Sequence, residues 1–418
     1  MKVLLSVFEC DPYKGSDSYV GWSYAVSLAK YHDVYALTRT ENKESIEHYL
    51  LYHSAPELQN IHFIYVDRSR FFSEFLYRFN RYLGFLGSYM FWQKAAYRKA
   101  VKLCTDIPID LSHHISIADF RCAGYLWKLR KPFIFGPVGG GQETPECLKD
   151  YIVGHKKEET IRAFLNRFLV NLPSYKQAIR HASLIYTSND ETKACILNCI
   201  SNNTSKPKVI RLTELCISDE YLIERKNIQK EQKKLITIIV SGRLICRKGV
   251  SLLLDAIKEM KTKRPFLVQV FGDGDQKEAL KQKAEVLGIA DRVVFYGKIG
   301  FEDMQKRYRD GDIYVLPSLR ESTGTAVFEA MANKLPVVTL KQNGAKYVVE
   351  DDAGILVEVT EKRQVIADMA SALDILVEDY DLRTQLGERG YEKIAEKYTW
   401  SRRINYMNKV YTELLLRG

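Results

Sequence analysis

No stretch of the 418 residues approaches the roughly 18 consecutive apolar residues that a membrane-spanning helix needs. The opening MKVLLSVFEC carries only a short apolar run that stops at Glu9. That is too short for a signal-peptide core and reads as a first buried strand, so a cytoplasmic chain is expected. The eight cysteines (Cys10, Cys104, Cys122, Cys147, Cys195, Cys199, Cys216 and Cys246) are scattered, and only Cys195 and Cys199 lie close together. No second pair stands at zinc-ligand spacing, which leaves reduced thiols as the expectation. Internal repeats and low-complexity tracts are missing, and Asn202 in NNT, though formally a glycosylation sequon, carries no assignment without a secretion signal. There is also no G-x-G-x-x-G after the first strand, which removes a nicotinamide-dependent dehydrogenase, and no lysine setting for pyridoxal, which removes a glycosyl phosphorylase.

What is present is ordinary for a folded chain: 46% hydrophobic and 27% charged residues. A chain of this length exceeds what one core usually supports, so two domains of about 150–200 residues are expected. The formal charge of +10 suits anionic partners such as a nucleotide diphosphate or an acidic membrane surface.

Apolar strand-like runs alternate with amphipathic helical ones at residues 3–8, 21–30, 34–38, 133–135 and 183–188. A second series covers 235–241, 250–261, 266–271, 276–287, 293–296, 301–310, 313–317, 325–333 and 336–339. Such alternation implies two α/β lobes, each a parallel sheet with crossover helices. Residues 1–217 are expected as the N-terminal domain, the highly charged 218–234 as a linker, and 235–397 as the second domain.

Two elements carry the chemistry. The first is SGRLICRKG, immediately after the strand at 235–241, where doubly wound folds bind ligands. Arg243 can fork onto phosphate oxygens and Lys248 adds a point charge beside them, together neutralising a diphosphate leaving group. The second is ESTGTAVFEAMANKLPVVT. Ser322, Thr323, Gly324 and Thr325 leave backbone N–H groups open at a helix N-terminus, a setting for phosphate or sugar oxygens. Glu329, inside that helix, can accept paired hydrogen bonds from ribose hydroxyls, and Glu321 at the start of the loop is placed to meet the sugar. Either glutamate alone reads as a cap or a solvated side chain. The pair together with Arg243 and Lys248 reads as a donor site.

At these motifs the sequence resembles the retaining GT-B glycosyltransferases of family 4, the glycosyl transferases group 1 superfamily. The resemblance also runs through GPVGGG, FGDGD, FYGKI, YVLPS and the tail at 398–400. It implies that Arg243 and Lys248 hold the donor diphosphate, Glu321 contacts the donor sugar and Glu329 the ribose. Backbone around Gly297 and Lys298 would lie near the base, with the Gly272–Gly274 loop beside it. It further implies retention of anomeric configuration, a lipid-linked oligosaccharide acceptor by similarity to enzymes of bacterial surface-polysaccharide assembly, and a C-terminal helix, 398–418, that returns to the N-terminal domain. A noncatalytic nucleotide-sugar sensor would keep the same donor residues.

The triplets Asp273–Asp275 and Asp310–Asp312 are read as turns flanking strands rather than metal ligands, so no cofactor and no metal are expected. In the N-terminal half, Gly15 and Ser16 follow the first strand and are expected near the donor. His113 and His114 in DLSHHIS, with Gly139 and Gly140 in GPVGGG, are the acceptor-side candidates; Gly136-Pro137 stands where many relatives place a histidine. Residues 68–102 hold eight basic residues against the single acid Glu74. Phe72, Phe75, Leu76, Phe79, Leu83, Leu86 and Met90 recur there at helical spacing. Tyr77, Tyr82, Tyr89 and Trp92 are placed for headgroup depth, and Gly84 and Gly87 for a break between two helices. An anionic membrane surface is therefore an expected partner of 68–102, and nucleic acid is not.

Overall fold

A computed structural model of the chain describes residues 1–67, 81–200 and 207–416. Contacts divide it into two compact units. The first comprises Met1–Gly141, Phe164–Glu214 and Trp400–Gly418, the second Gln142–Ala163 and Leu215–Thr399.

Unit 1 holds a parallel sheet of β1 (Lys2–Val7), β2 (Asp33–Arg39), β3 (Ile61–Val66), β4 (Leu111–Ser116), β5 (Phe133–Val138), β6 (Leu184–Thr187) and β7 (Lys208–Arg211). Its order is β3-β2-β1-β4-β5-β6-β7. The central strands are covered on both faces: every residue of β4 and β5 is buried. That accounts for the near-continuous apolar run of β5, whereas β4 is buried with Ser112, His113, His114 and Ser116 in it. Edge strand β7 is the reverse, with both of its ends exposed, and neither β7 nor β3 stands out in the sequence.

The first helix, Asp17–Leu28, lies tight against the loop after β1. A Cβ on Gly21 would sit 2.0 Å from the Glu9 carbonyl oxygen, so only glycine fits. The helix Arg81–Asp106 is continuous over 26 residues, and Gly84 and Gly87 do not break it. Its face of Leu86, Tyr89, Ala96 and Ala100 is buried in the core, and that packing offsets the roughly 1 kcal/mol each glycine costs. Tyr89 and Trp92 are likewise core residues rather than headgroup anchors: their rings meet Phe8 edge-on at 5.0 and 4.9 Å, and Trp92 Nε1 donates to the Val66 carbonyl at 3.2 Å. The solvent face carries Lys94, Arg98, Lys99 and Lys102 beside exposed Phe91 and Val101. The rest of the expected membrane segment, residues 68–80 with Arg68, Arg70, Phe72, Phe75, Leu76, Tyr77, Arg78 and Phe79, lies outside the described residues, as do the side chains of 81–83 and Asn202. The last helix, Trp400–Leu416, groups with unit 1. Trp400 Nε1 donates to Tyr19 OH at 3.1 Å, and an Arg403 guanidinium N–H donates to Tyr24 OH at 2.7 Å.

Unit 2 holds β8 (Ile236–Ser241), β9 (Phe266–Phe271), β10 (Val293–Gly297), β11 (Ile313–Leu316), β12 (Val337–Leu340) and β13 (Gly354–Val357), in the order β10-β9-β8-β11-β12-β13. All of its pairings are parallel.

The contact units differ from the expected boundaries at 142–163, 215–234 and 398–399. Residues 142–163, expected with the N-terminal domain, group with unit 2, and so does the expected linker. The lysines of the linker are the reason. Lys230 Nζ donates to the carbonyls of Tyr308, Arg309 and Gly311 at 3.2, 2.7 and 3.0 Å, satisfying the C-terminal end of the helix Phe301–Asp310. A charge-rich segment thus serves as a helix cap. All eight cysteines are free thiols. No described helix is long and apolar enough to cross a membrane.

Candidate functional site

In unit 2 the chain starts at β8, winds outward to β9 and β10, then crosses to β11 and winds the other way. The loops after β8 and β11 therefore part at the carboxyl edge of the sheet, the place where open α/β sheets form a crevice. Ser241, Gly242, Arg243, Lys248, Pro317 and Ser318 line a pocket there. Ser318 is buried and its hydroxyl has no partner among the described residues.

Glycines set the spacing of these loops. Gly249 has φ +69°, and a Cβ on it would lie 1.9 Å from the Pro317 carbonyl oxygen; the Leu319 amide donates to the Arg247 carbonyl at 2.9 Å across the same junction. The loop after β8 is thereby fastened to the loop after β11. On its other side Gly272, φ +139°, abuts the Gly242 carbonyl, and its amide donates to the Gly297 carbonyl at 2.8 Å. Gly272 and Gly297 thus lace neighbouring loops together, and Lys298 is an exposed cation just beyond them.

The charges differ in how they are held. Arg243 is exposed and has no side-chain hydrogen bond or ion pair among the described residues. Lys248 is bound to Glu321, and Arg247, which the sequence reading passed over, reaches the same carboxylate oxygen at 3.4 Å. Burial lowers the pKa of Lys248, with Glu321 pulling the other way. Burial would raise Glu321, but Lys248 and Arg247 outweigh it and hold the carboxyl below its ordinary range. Lys248 and Arg247 on one carboxylate, with exposed Arg243 on the same loop, leave a positive site, suited to an anion with more than one charge.

The helix Thr325–Ala332 opens at Gly324, whose φ of +94° turns the chain into it. Thr323 is fully buried, and Gly344 lies so close to the Ser322 carbonyl that a Cβ would sit 1.7 Å from it. Glu329 is half-buried on the second turn. Burial raises its carboxyl to about 7, with Tyr308 and Arg225 opposing. Behind it stands a polar wall that the sequence reading missed. Tyr308 OH meets Ser241 Oγ at 2.8 Å, the Arg225 guanidinium lies 3.4 Å from the Tyr221 ring centroid, and Asn333 Nδ2 donates to Tyr221 OH at 3.1 Å. Tyr221 and Arg225 come from the segment expected as a linker, and no local motif marks them.

The acidic triplets have structural partners. Asp312 is buried, accepts the Thr237 amide at 2.8 Å and pairs with Lys233 at 3.1 Å. Asp273 accepts the Gly274 amide at 2.8 Å, and Asp275 meets His155 at 2.9 Å.

The remaining candidates lie in unit 1. Gly15 and Ser16 form an exposed turn, with Ser16 at φ +59° entering the first helix. Nearby Asp17 has its carboxyl raised to about 6 by burial, Glu214 and Glu9. His113 and His114 are not open cleft residues: both are buried inside the sheet. His113 Nε2 donates to the Gly136 carbonyl at 2.6 Å, while Nδ1 accepts from Tyr411 OH at 2.6 Å; burial lowers its pKa to about 3. His114 contacts Tyr89 OH at 2.9 Å and is lowered to about 4 by burial. Both are held as neutral core groups. The glycines of GPVGGG serve close approach of the protein's own backbone rather than an open ligand surface. Gly139 is buried and exchanges hydrogen bonds with Ala118 and Phe120 at 2.9 and 3.0 Å, and Gly140, φ +103°, packs on the Phe120 ring.

The structure thus gathers Arg243, Lys248, Glu321, Thr323, Gly324, Thr325 and Glu329 in unit 2, with Gly272, Gly297 and Lys298 on neighbouring loops of the same unit. It places Gly15, Ser16, His113, His114, Gly139 and Gly140 in unit 1.

Residues 223–393 match the family model of glycosyl transferases group 1. An uncharacterized glycosyltransferase of Methanocaldococcus jannaschii is 26% identical over 174 residues, 41% of this chain and 43% of that protein. The lipopolysaccharide core biosynthesis glycosyltransferase LpsE of Rhizobium meliloti is 24% identical over 264 residues, 60% of this chain and 74% of that one. Among solved structures, HepE of Anabaena in complex with UDP and glucose superposes with a TM-score of 0.61 at 16% identity, covering 99% of this chain and 100% of that one. The fold is GT-B, with two Rossmann-like parallel-sheet units, and the match to the glycosyl transferases group 1 model lies in residues 223–393 of this chain.

Proposed function

We propose that the protein is a retaining glycosyltransferase that moves a sugar from a nucleotide diphosphate to a hydroxyl of an oligosaccharide acceptor. The observation that carries this reading is Arg243, exposed at the strand-order reversal and without a side-chain partner among the described residues, beside Lys248–Glu321 and the glycine-opened start of the helix that bears Glu329. Arg243 and Lys248 take the diphosphate, with Thr323, Gly324 and Thr325 around it. Glu329 holds the ribose, Glu321 the sugar, and the backbone at Gly297 and Lys298 the base. The UDP bound by HepE is the first nucleotide to try.

The proposed chemistry is substitution on one face of the sugar. The bond from the anomeric carbon to the diphosphate oxygen breaks, the acceptor oxygen bonds to that carbon on the same face, and the acceptor proton passes to the departing phosphate. Double displacement would need a free carboxylate nucleophile. Glu321, held by Lys248 and Arg247, is poorly suited to that task. Cationic side chains supply the leaving-group stabilisation, so no metal is required in this reading. A lipid-linked acceptor fits the similarity to LpsE, and the basic face of the helix Arg81–Asp106 would then rest on an anionic membrane at the cytoplasmic side.

The test is a thermal-shift panel of nucleoside diphosphates and nucleotide sugars, since a ligand of the native state raises its apparent stability. At least one should raise Tm in the wild type and fail to do so in the double variant Arg243→Ala/Lys248→Ala. No shift with any nucleotide contradicts the reading.

A further inference from the structure

Glu321 is gripped through both of its chain neighbours by residues 142–163, which belong to unit 2 although the rest of that unit begins at Leu215. On one side an Arg320 guanidinium N–H donates to the Glu159 carboxylate at 2.6 Å; on the other the Gln142 side-chain amide donates to Ser322 Oγ at 3.2 Å. Arg162 joins the two grips. One of its N–H groups donates to the Gln142 carbonyl at 2.8 Å, and its Nε stands 3.5 Å from the Glu159 carboxylate. We propose that Gln142, Glu159 and Arg162 are positioning residues that hold the Glu321 carboxylate in place for the donor sugar, an assignment that rests on the glycosyltransferase reading.

The segment is mounted firmly enough for the task. Leu148, Tyr151 and Ile152 sit in the hydrophobic core of unit 2, and Tyr151 OH donates to Asp255 at 2.7 Å. Glu159 and Arg162, three residues apart, share one face of the helix Lys156–Val170, with Glu159 in its first turn, where the helix dipole favours an acid. Their chemistry exceeds what a joint between two surfaces needs. The Arg162 and Arg320 side chains are only 9% and 15% exposed, and the Glu159 carboxylate is a counter-charge to each. Burial and Arg162 pull the pKa of Arg320 down to about 10, with Glu159 opposing. Buried ion pairs contribute weakly to net stability, and their presence next to Glu321 is accounted for by the orientation they impose. Arg247 seats the same stretch from the other side, donating to the Arg320 carbonyl at 3.2 Å and reaching Glu321 at 3.4 Å. These contacts converge on the carboxylate assigned to the sugar, not on Arg243 or Glu329, which are assigned to the nucleotide. Disturbing the mount should therefore separate sugar recognition from nucleotide recognition.

The experiment is calorimetric titration of the full chain, well below its Tm, with UDP, GDP and ADP and with UDP-glucose, UDP-galactose, UDP-N-acetylglucosamine, GDP-mannose and ADP-glucose. Wild type is compared with Glu159→Gln and Gln142→Met. Glu159→Gln keeps the shape and removes the charge. Gln142→Met removes the amide that holds Ser322 and keeps the backbone carbonyl that Arg162 uses, so it tests the opposite grip without unpairing a buried cation and decides alone if Glu159→Gln does not fold. Both variants should bind the nucleoside diphosphate as wild type does and bind the matching nucleotide sugar about 10-fold more weakly, the effect of one charge-assisted hydrogen bond. In a Glu321→Gln background, Gln142→Met should cause no further loss, because it acts through that carboxylate. A variant that merely loosens the fold would lower Tm and leave this split between sugar and nucleotide untouched. Equal effects on diphosphate and nucleotide sugar, no effect on either, additive losses with Glu321→Gln, or a wild type that binds a diphosphate and none of the sugars each overturns the positioning role alone. A wild type that binds no nucleotide overturns the donor reading, and the proposal with it.

Discussion

Arg243 and Lys248, both charged and five residues apart, are held so differently that their substitutions should separate. Arg243 is exposed and has no side-chain partner among the described residues, whereas Lys248 binds a carboxylate. Arg243→Ala should therefore leave Tm unchanged yet cut transfer by about 10²–10³-fold, the effect of removing one electrostatic catalyst. Lys248→Ala should lose transfer comparably and also lower Tm, because Glu321 would keep its burial without its nearest cation. Calorimetry beside initial rates distinguishes the two. Glu329 gives a prediction in pH. Its folded-state pKa is raised from 4.5 to about 7, so its contribution to stability is full below 4.5 and is lost as pH rises through 7. Glu329→Gln should consequently gain about 2 kcal/mol over wild type at pH 8 and almost nothing at pH 4, while binding nucleotide more weakly. Melting curves at the two pH values, with and without nucleotide, check both halves.

At the scale of elements, the junction of the β8 and β11 loops is the feature most sensitive to a single atom. Gly249→Ala adds a Cβ where the Pro317 carbonyl already lies and forces alanine to φ +69°. A loss of at least about 2 kcal/mol is expected, visible as a lower denaturation midpoint at unchanged slope. Elements with a clear apolar run or helical period were legible in the sequence: the run at 266–271 is β9 residue for residue, and 301–310 is a helix over the same span, whereas β4, buried throughout with two histidines and two serines, shows no such run. Strands β3, β7 and β13 escaped: β7 is short with both ends polar, whereas β3 and β13 are largely apolar runs of six and four residues that the alternation did not single out. The helix Arg81–Asp106 was misread as broken because glycine propensity is local, and the core packing that overrides it is not. The same limit applies to function. RKG lies on one loop and the E-x7-E element on one loop and the helix that follows it, so both could be read directly. Tyr221 and Arg225 reach Glu329 only through the fold, and the core placement of His113 depends on Tyr411, 298 residues away.

For the molecule as a whole, the basic face of Arg81–Asp106 bears on where it works. Lys94, Arg98, Lys99 and Lys102 are exposed, and each is worth about 1 kcal/mol near an anionic bilayer. Their joint replacement by glutamine should release the protein from phosphatidylserine-containing vesicles in cosedimentation at low salt. Equal binding by variant and wild type would remove this helix as the contact. The central claim is turnover: release of nucleoside diphosphate from a nucleotide sugar, dependent on acceptor, measured in excess EDTA. The account predicts product of retained anomeric configuration from wild type, undiminished by EDTA, with turnover lost in Arg243→Ala/Lys248→Ala. Donor binding without acceptor-dependent release, or activity that EDTA abolishes and magnesium or manganese restores, would contradict it.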